Sequence, residues 1–184
     1  MNTSPANTQS TWLISVTPND KAIAPIEKLS AHEGNGVLHR AFSIFLFDPA
    51  GRLLLQQRSA QKPLWPGWWA NSCCSHPRWG QELQEAVMRR VPEELGAPLV
   101  EAPRWHFHFT YQARWSDIGS ENELCHVFTG RLASPPQPNP DEVADVKWVT
   151  PVELEKALAD PTAPFTPWLR IEWPKLAPML AQTA

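Results

Sequence analysis

Cysteine is scarce in this 184-residue sequence, with three in all, and two of them, Cys73 and Cys74, are adjacent. Neighbouring cysteines rarely bridge each other, so no disulfide framework is available and a reducing, cytoplasmic compartment is expected. Long apolar runs are also missing. None approaches the roughly 18 residues a membrane span needs, so membrane insertion is not expected. There is no basic excess: 16 Lys and Arg against 19 Asp and Glu give a net charge of −3, which argues against nucleic acid as a partner. Residues Met1 to Ser10 lack the basic and apolar regions of a secretory signal and read as a disordered tail over 1–10. With no repeat and no linker, 11–184 is expected to form a single domain.

What is abundant is tryptophan, ten residues, and proline, twenty. The first suggests aromatic-lined walls, the second many loops and short helices. Alternation predicts strands over 11–17, 41–47, 52–58, 105–111, 123–129 and 143–149. The turn Asp48-Pro49-Ala50-Gly51 predicts that 41–47 and 52–58 pair as a hairpin. Leu83, Val87, Val91 and Leu95 recur every four residues, so a helix is predicted over 80–95 with Gly96 as its stop and Pro92 disturbing its last turn. Further helices are predicted over 151–158 and over 168–180, the latter broken at Pro174.

The chemistry concentrates in Asn71-Ser72-Cys73-Cys74-Ser75-His76-Pro77, behind the aromatic run Trp65-Pro66-Gly67-Trp68-Trp69. In a strand, Cys74 and His76 share a face, offering a thiol as proton donor or nucleophile and an imidazole as metal ligand. Glu121-Asn122-Glu123 repeats the same spacing with two carboxylates at a strand start, which read alone are two solvated acids. His32 and His39 straddle Gly34-Asn35-Gly36. Three imidazoles and two carboxylates suit zinc or another divalent metal, the carboxylates shifting preference toward Mn²⁺ or Mg²⁺. Half of a structural zinc site is the alternative for the Cys segment, but no second Cys-x-x-Cys completes it. Finally, Arg89-Arg90-Val91-Pro92-Glu93-Glu94-Leu95-Gly96 resembles the end of a Nudix box, with Arg90 in place of one glutamate and Gln81 where an acid is expected.

In this order the segments resemble the type I isopentenyl-diphosphate Δ-isomerases, a Nudix-fold family, from about Ile26 to Trp168. The markers are Glu27-Lys28-x₃-His32, Leu38-His39-x-Ala41-Phe42, Arg58, Lys62, the run from Trp65 to Pro77, Arg89 to Gly96, Tyr111, Glu121-Asn122-Glu123 and Pro167-Trp168. The resemblance implies an α+β, Nudix-like α/β/α sandwich with a mixed central sheet and flanking helices. It implies isomerisation of isopentenyl diphosphate, a small prenyl diphosphate substrate, to dimethylallyl diphosphate. Cys74 and Glu123 are then the acid and base, assisted by Tyr111. His32, His39, His76, Glu121 and Glu123 hold one divalent metal (Mn²⁺, Mg²⁺ or Zn²⁺), and Glu94 holds Mg²⁺ on the substrate diphosphate. Lys28, Arg58 and Lys62 contact the diphosphate, and Trp168 forms a cation–π wall. A Nudix-type diphosphate hydrolase is the rival activity, opposed by Arg90 where that chemistry uses a glutamate. A monomer is expected, with Cys73 pointing away from the site.

Overall fold

The computed structural model describes residues 12–182, so the tail expected over 1–10, and Thr11, lie outside the described residues. In chain order the first elements are strands β1 (Trp12–Val16) and β2 (Ala22–Glu27), the short helix α1 (Lys28–His32), and strands β3 (His39–Leu46) and β4 (Leu53–Arg58). The brief strands β5 (Trp69–Ala70) and β6 (Cys73–Ser75) and helix α2 (Leu83–Leu95) follow. Strands β7 (Arg104–Trp115), β8 (Gly119–Gly130) and β9 (Val143–Val149) precede helices α3 (Pro151–Leu158) and α4 (Pro167–Ala181).

Strand β3 is apolar on both faces, which places it at the centre. Phe42, Ile44 and Leu46 pack with Ala86, Val87, Val91 and Leu95 of α2. Ala41 and Phe45 face the other way, onto Leu154 of α3 and Trp168, Leu169, Trp173 and Leu176 of α4. Helices therefore cover apolar faces of the sheet on two sides, as period-2 alternation against helical stripes requires. The larger sheet runs β2-β1-β3-β8-β7, with β6 also on β3, and it is mixed because β3 and β8 run parallel. A second, antiparallel sheet runs β5-β4-β9.

The predicted hairpin forms only its turn. Asp48 N–H donates to Arg52 O at 2.9 Å, and one bridge joins Phe47 to Leu53. Beyond it both edges of β3 are filled, by β8 on one side and by β1 and β6 on the other, so β4 pairs with β5 and β9 instead. Strand β2, which contains Pro25, has no counterpart among the predicted elements. It lies at the sheet edge, where proline is tolerated.

Helix α2 starts at Leu83 rather than Gly80 and continues through Pro92 to Gly96, whose left-handed backbone (φ 66°) lets its N–H reach Pro92 O. Helix α4 is not broken at Pro174. Pro174 and Pro178 both lie on its exposed side, where water can take the freed carbonyls, while Trp168, Leu169, Trp173 and Leu176 pin the opposite face. Among the described residues no helix is long and apolar enough to cross a membrane.

Candidate active site

Strand parity gathers the polar residues. On the α4 side of the sheet, His39 stands beside Glu123 and Ser43 beside Cys74, and Glu123 is also opposite Tyr111 on β7. Glu121 and Glu123 lie inside β8 rather than at its opening, because that strand starts at Gly119. Gly119 itself lets α1 come close: a Cβ there would sit 2.6 Å from the carbonyl oxygen of His32. That contact sets His32 against Glu121, with Nε2 3.0 Å from Oε2. Gly119→Ala is expected to destabilise the fold by about 1–3 kcal/mol and to loosen metal binding through His32. Urea unfolding and metal titration of the variant check both effects.

One potential metal-binding atom from each of His32, His39, His76, Glu121 and Glu123 lies within 4.8 Å of all the others. The imidazole tautomers follow from their partners. His32 Nδ1 meets Lys28 O at 2.6 Å and His39 Nδ1 meets Val37 O at 2.7 Å. A carbonyl only accepts, so Nδ1 carries a hydrogen in each. Nε2 of neutral His39 presents its lone pair to the cluster, while the Glu121 carboxylate outweighs burial to raise His32 and holds a proton on its Nε2, which a bound metal would replace. His39 Nε2 is buried with no hydrogen-bond partner, an unmet lone pair aimed at the shared centre. The residues therefore fit a divalent metal: imidazole nitrogens and carboxylate oxygens converge, oriented by bonds to the backbone.

The two carboxylates sharing this site divide their charge. Burial opposes ionisation of Glu121, but the His32 hydrogen bond and charge outweigh it and hold its carboxyl low, at about 2. Burial and the Glu121 charge push Glu123 well up, so the two carboxyls of the pair are driven in opposite directions. Glu123 Oε2 accepts from the Tyr111 hydroxyl at 2.7 Å, and its Oε1 lies 2.7 Å from His76 Nε2. Burial brings His39 down to about 4 and lowers His76 as well, leaving both neutral.

A cavity of about 390 Å³ opens beside this cluster, lined among others by Cys74, His76, Tyr111, Glu121, Glu123 and Trp168. Cys74 donates its S–H to Asn71 Oδ1 at 2.8 Å, and burial pushes its thiol up, so it is present as S–H. Lys28, Arg58, Lys62 and Arg90 line the same cavity. Burial and the neighbouring charges of Lys62 and Arg90 lower Lys28, the signature of cations crowded without enough counter-charge. Arg58 is held by Leu64 O and Trp65 O and lies over Trp168, 5.3 Å from the ring centroid. Lys62 pairs with Glu142, which also takes Arg90 at 3.0 Å.

Eleven of the twelve predicted site residues thus border the cavity or its metal cluster. The twelfth, Glu94, is not on the cavity wall. It is buried on α2, and its carboxylate takes Arg90 Nη2 at 2.5 Å and Gln56 Nε2 at 3.4 Å. Cys73 does face away, into the core against α2. Sequence reasoning missed Glu142 as partner of two cavity cations. It lies in a segment whose pattern does not say what its side chain faces.

A mixed sheet between helices, with Glu93-Glu94-Leu95-Gly96 closing α2, is the architecture of a Nudix domain, and a NUDIX domain model matches residues 37–169. A solved structure from Deinococcus radiodurans superposes with a TM-score of 0.70 at 22% identity, covering 89% of this chain and 98% of that one. The MutT protein from Methanosarcina mazei Go1 gives 0.62 at 19% identity, covering 77% and 94%. Within that class the sequence relatives are more particular. The chain is 40% identical to isopentenyl-diphosphate Delta-isomerase 1 of Photorhabdus laumondii over 88% of this chain and 92% of that protein. It is 45% identical to isopentenyl-diphosphate Delta-isomerase of Nocardia farcinica over 81% and 85%. The chain belongs to the isopentenyl-diphosphate Delta-isomerase family of Nudix proteins.

Proposed function

We infer that this protein isomerises isopentenyl diphosphate to dimethylallyl diphosphate, adding a proton to the alkene and removing one from the neighbouring carbon across a tertiary carbocation. One observation carries this reading: a thiol, Cys74, and a carboxyl, Glu123, line one cavity that also holds a cluster of cations. The reaction needs two proton-carrying groups around a small apolar chain and an anchor for its diphosphate. Tyr111 holds Glu123 by its hydroxyl. The Trp168 ring faces the five-carbon chain, where its π-face suits a developing cation. Lys28, Arg58, Lys62 and Arg90 supply charge-assisted bonds to the diphosphate.

His32, His39, His76, Glu121 and Glu123 hold one divalent metal, Mn²⁺, Mg²⁺ or Zn²⁺. When bound it would lower the proton affinity of the adjacent carboxyl. In the present arrangement Glu94 does not fit the Mg²⁺ that accompanies the diphosphate, since Arg90 occupies its carboxylate. Glu94 becomes available to that ion only if Arg90 turns toward the diphosphate.

Incubation with Mn²⁺ or Mg²⁺ and isopentenyl diphosphate in D₂O tests the reading. Deuterated dimethylallyl diphosphate is the expected product. Release of phosphate or pyrophosphate without isomerisation would instead favour a hydrolase, and absence of both product and exchange would refute the isomerase.

A further inference from the structure

Helix α4 presents apolar side chains to the sheet with one exception. Glu172 is fully buried between Leu169, Trp173 and Leu176, and no Lys or Arg is among the groups that act on its carboxyl. Its neighbours are the Ser43 hydroxyl from β3 and the Cys125 thiol from β8, whose sulfur lies 3.5 Å from Oε1 and 3.4 Å from Ser43 Oγ, so that its one hydrogen serves one or the other. Oε2 has no hydrogen-bond partner. The other charged or titratable groups nearby are Cys74 on β6 and Glu123 on β8, each of which feels the Glu172 charge. On α4 itself, Arg170 is turned to the carbonyls of Leu158, Asp160 and Ala163, and Lys175 lies over Phe109. A carboxylate cannot be kept ionised in such surroundings and takes a proton instead. Burial pushes this carboxyl up to about 8.

The proton gives the buried chain a direction. Asn71 Nδ2 donates to Ile44 O at 3.1 Å and to Cys73 O at 3.2 Å, which fixes the amide so that Oδ1 faces Cys74. The thiol donates to that oxygen, so its sulfur is free to accept. Ser43 Oγ lies 3.2 Å from Cys74 Sγ. A neutral Glu172 has a proton to offer the neighbouring Ser43 hydroxyl, whose own hydrogen is then available to the sulfur. An ionised Glu172 claims that hydrogen and adds a negative charge beside the thiol.

We propose that Glu172 is a positioning residue for Cys74, its neutral carboxyl directing the Ser43 hydroxyl onto the sulfur that exchanges a proton with substrate. This rests on the isomerase reading above, in which Cys74 is one of the two proton-carrying groups. The metal-loaded wild type, Glu172→Gln and Glu172→Leu should be compared in kcat and KM from pH 6 to pH 10. The amide of Gln donates as the neutral acid does, so Glu172→Gln keeps its neutral-pH kcat within about threefold and loses the alkaline decline of the wild type. Glu172→Leu removes the donor and lowers kcat about tenfold with KM unchanged, the effect of one hydrogen bond. An unchanged kcat in Glu172→Leu, or a wild-type alkaline limb in Glu172→Gln, overturns the proposal.

Stability supplies a readout that needs no turnover. The folded carboxyl binds its proton more tightly than the unfolded one, so wild-type stability falls relative to Glu172→Gln as pH rises from 4.5 to about 8, then levels. A difference in Tm that stays constant across that range overturns the proposal whatever the activity. A wild type with no isomerase activity would refute the parent reading instead.

Discussion

Replacing Cys74 with alanine is expected to lower kcat for isopentenyl diphosphate by about 10³-fold, with KM and metal content unchanged. Positioned acid–base groups contribute roughly 10²–10⁴-fold, and no other thiol lines the cavity. Cys125 is buried under α4, and Cys73 faces the α2 side of the sheet. Cys73→Ala is therefore the matched control: it removes a buried sulfur and lowers stability by about 1 kcal/mol, but leaves kcat in place. Glu123→Gln should lose a comparable factor, since the amide keeps the Tyr111 bond but has no acidic proton to exchange. Single-turnover measurement of product separates the two sides of the reaction. Full activity in Cys74→Ala or in Glu123→Gln would sink the assignment of that residue.

These predictions draw on a site that was legible in the sequence for a physical reason. Cys74-x-His76 and Glu121-x-Glu123 lie in or beside strands, where a spacing of two fixes a common face, so each pair could be read locally. That the pairs meet depends on the parallel pairing of β3 with β8 and the seating of β6 on β3, which no local pattern encodes. The same non-locality explains the hairpin: its turn chemistry is local and formed, while the choice of partner for β4 was decided by strands far along the chain. Proline misled once: Pro174 suggested a broken helix, yet it sits where solvent replaces the missing bond. Glu94 shows the limit of motif transfer. Its position in the Nudix-like helix is legible, but its burial under Arg90 depends on the ion-pair partners that α2 meets in three dimensions.

Removing divalent metal is expected to abolish turnover and lower Tm by about 10 °C, both restored by adding back Mn²⁺ or Zn²⁺. Five ligand-type residues held this close make an unsatisfied site: two carboxyls are crowded together, and His39 Nε2 has no partner. A buried polar atom without a partner costs about 1–3 kcal/mol, and an ion that binds only the folded chain adds about 4 kcal/mol at a thousand times its dissociation constant. For a domain of this size each kcal/mol moves Tm by roughly 2–4 °C. His39→Ala should sever the link, since it removes the one fully buried imidazole of the set. Its Tm should respond weakly to metal, and its turnover should not return on metal addition. Glu121→Gln should weaken the response less, because the amide oxygen can still coordinate but no longer carries the charge that offsets the cation. A chelated wild type with unchanged Tm, or a His39→Ala variant stabilised as much as the wild type, would show that the five residues do not act as one metal site.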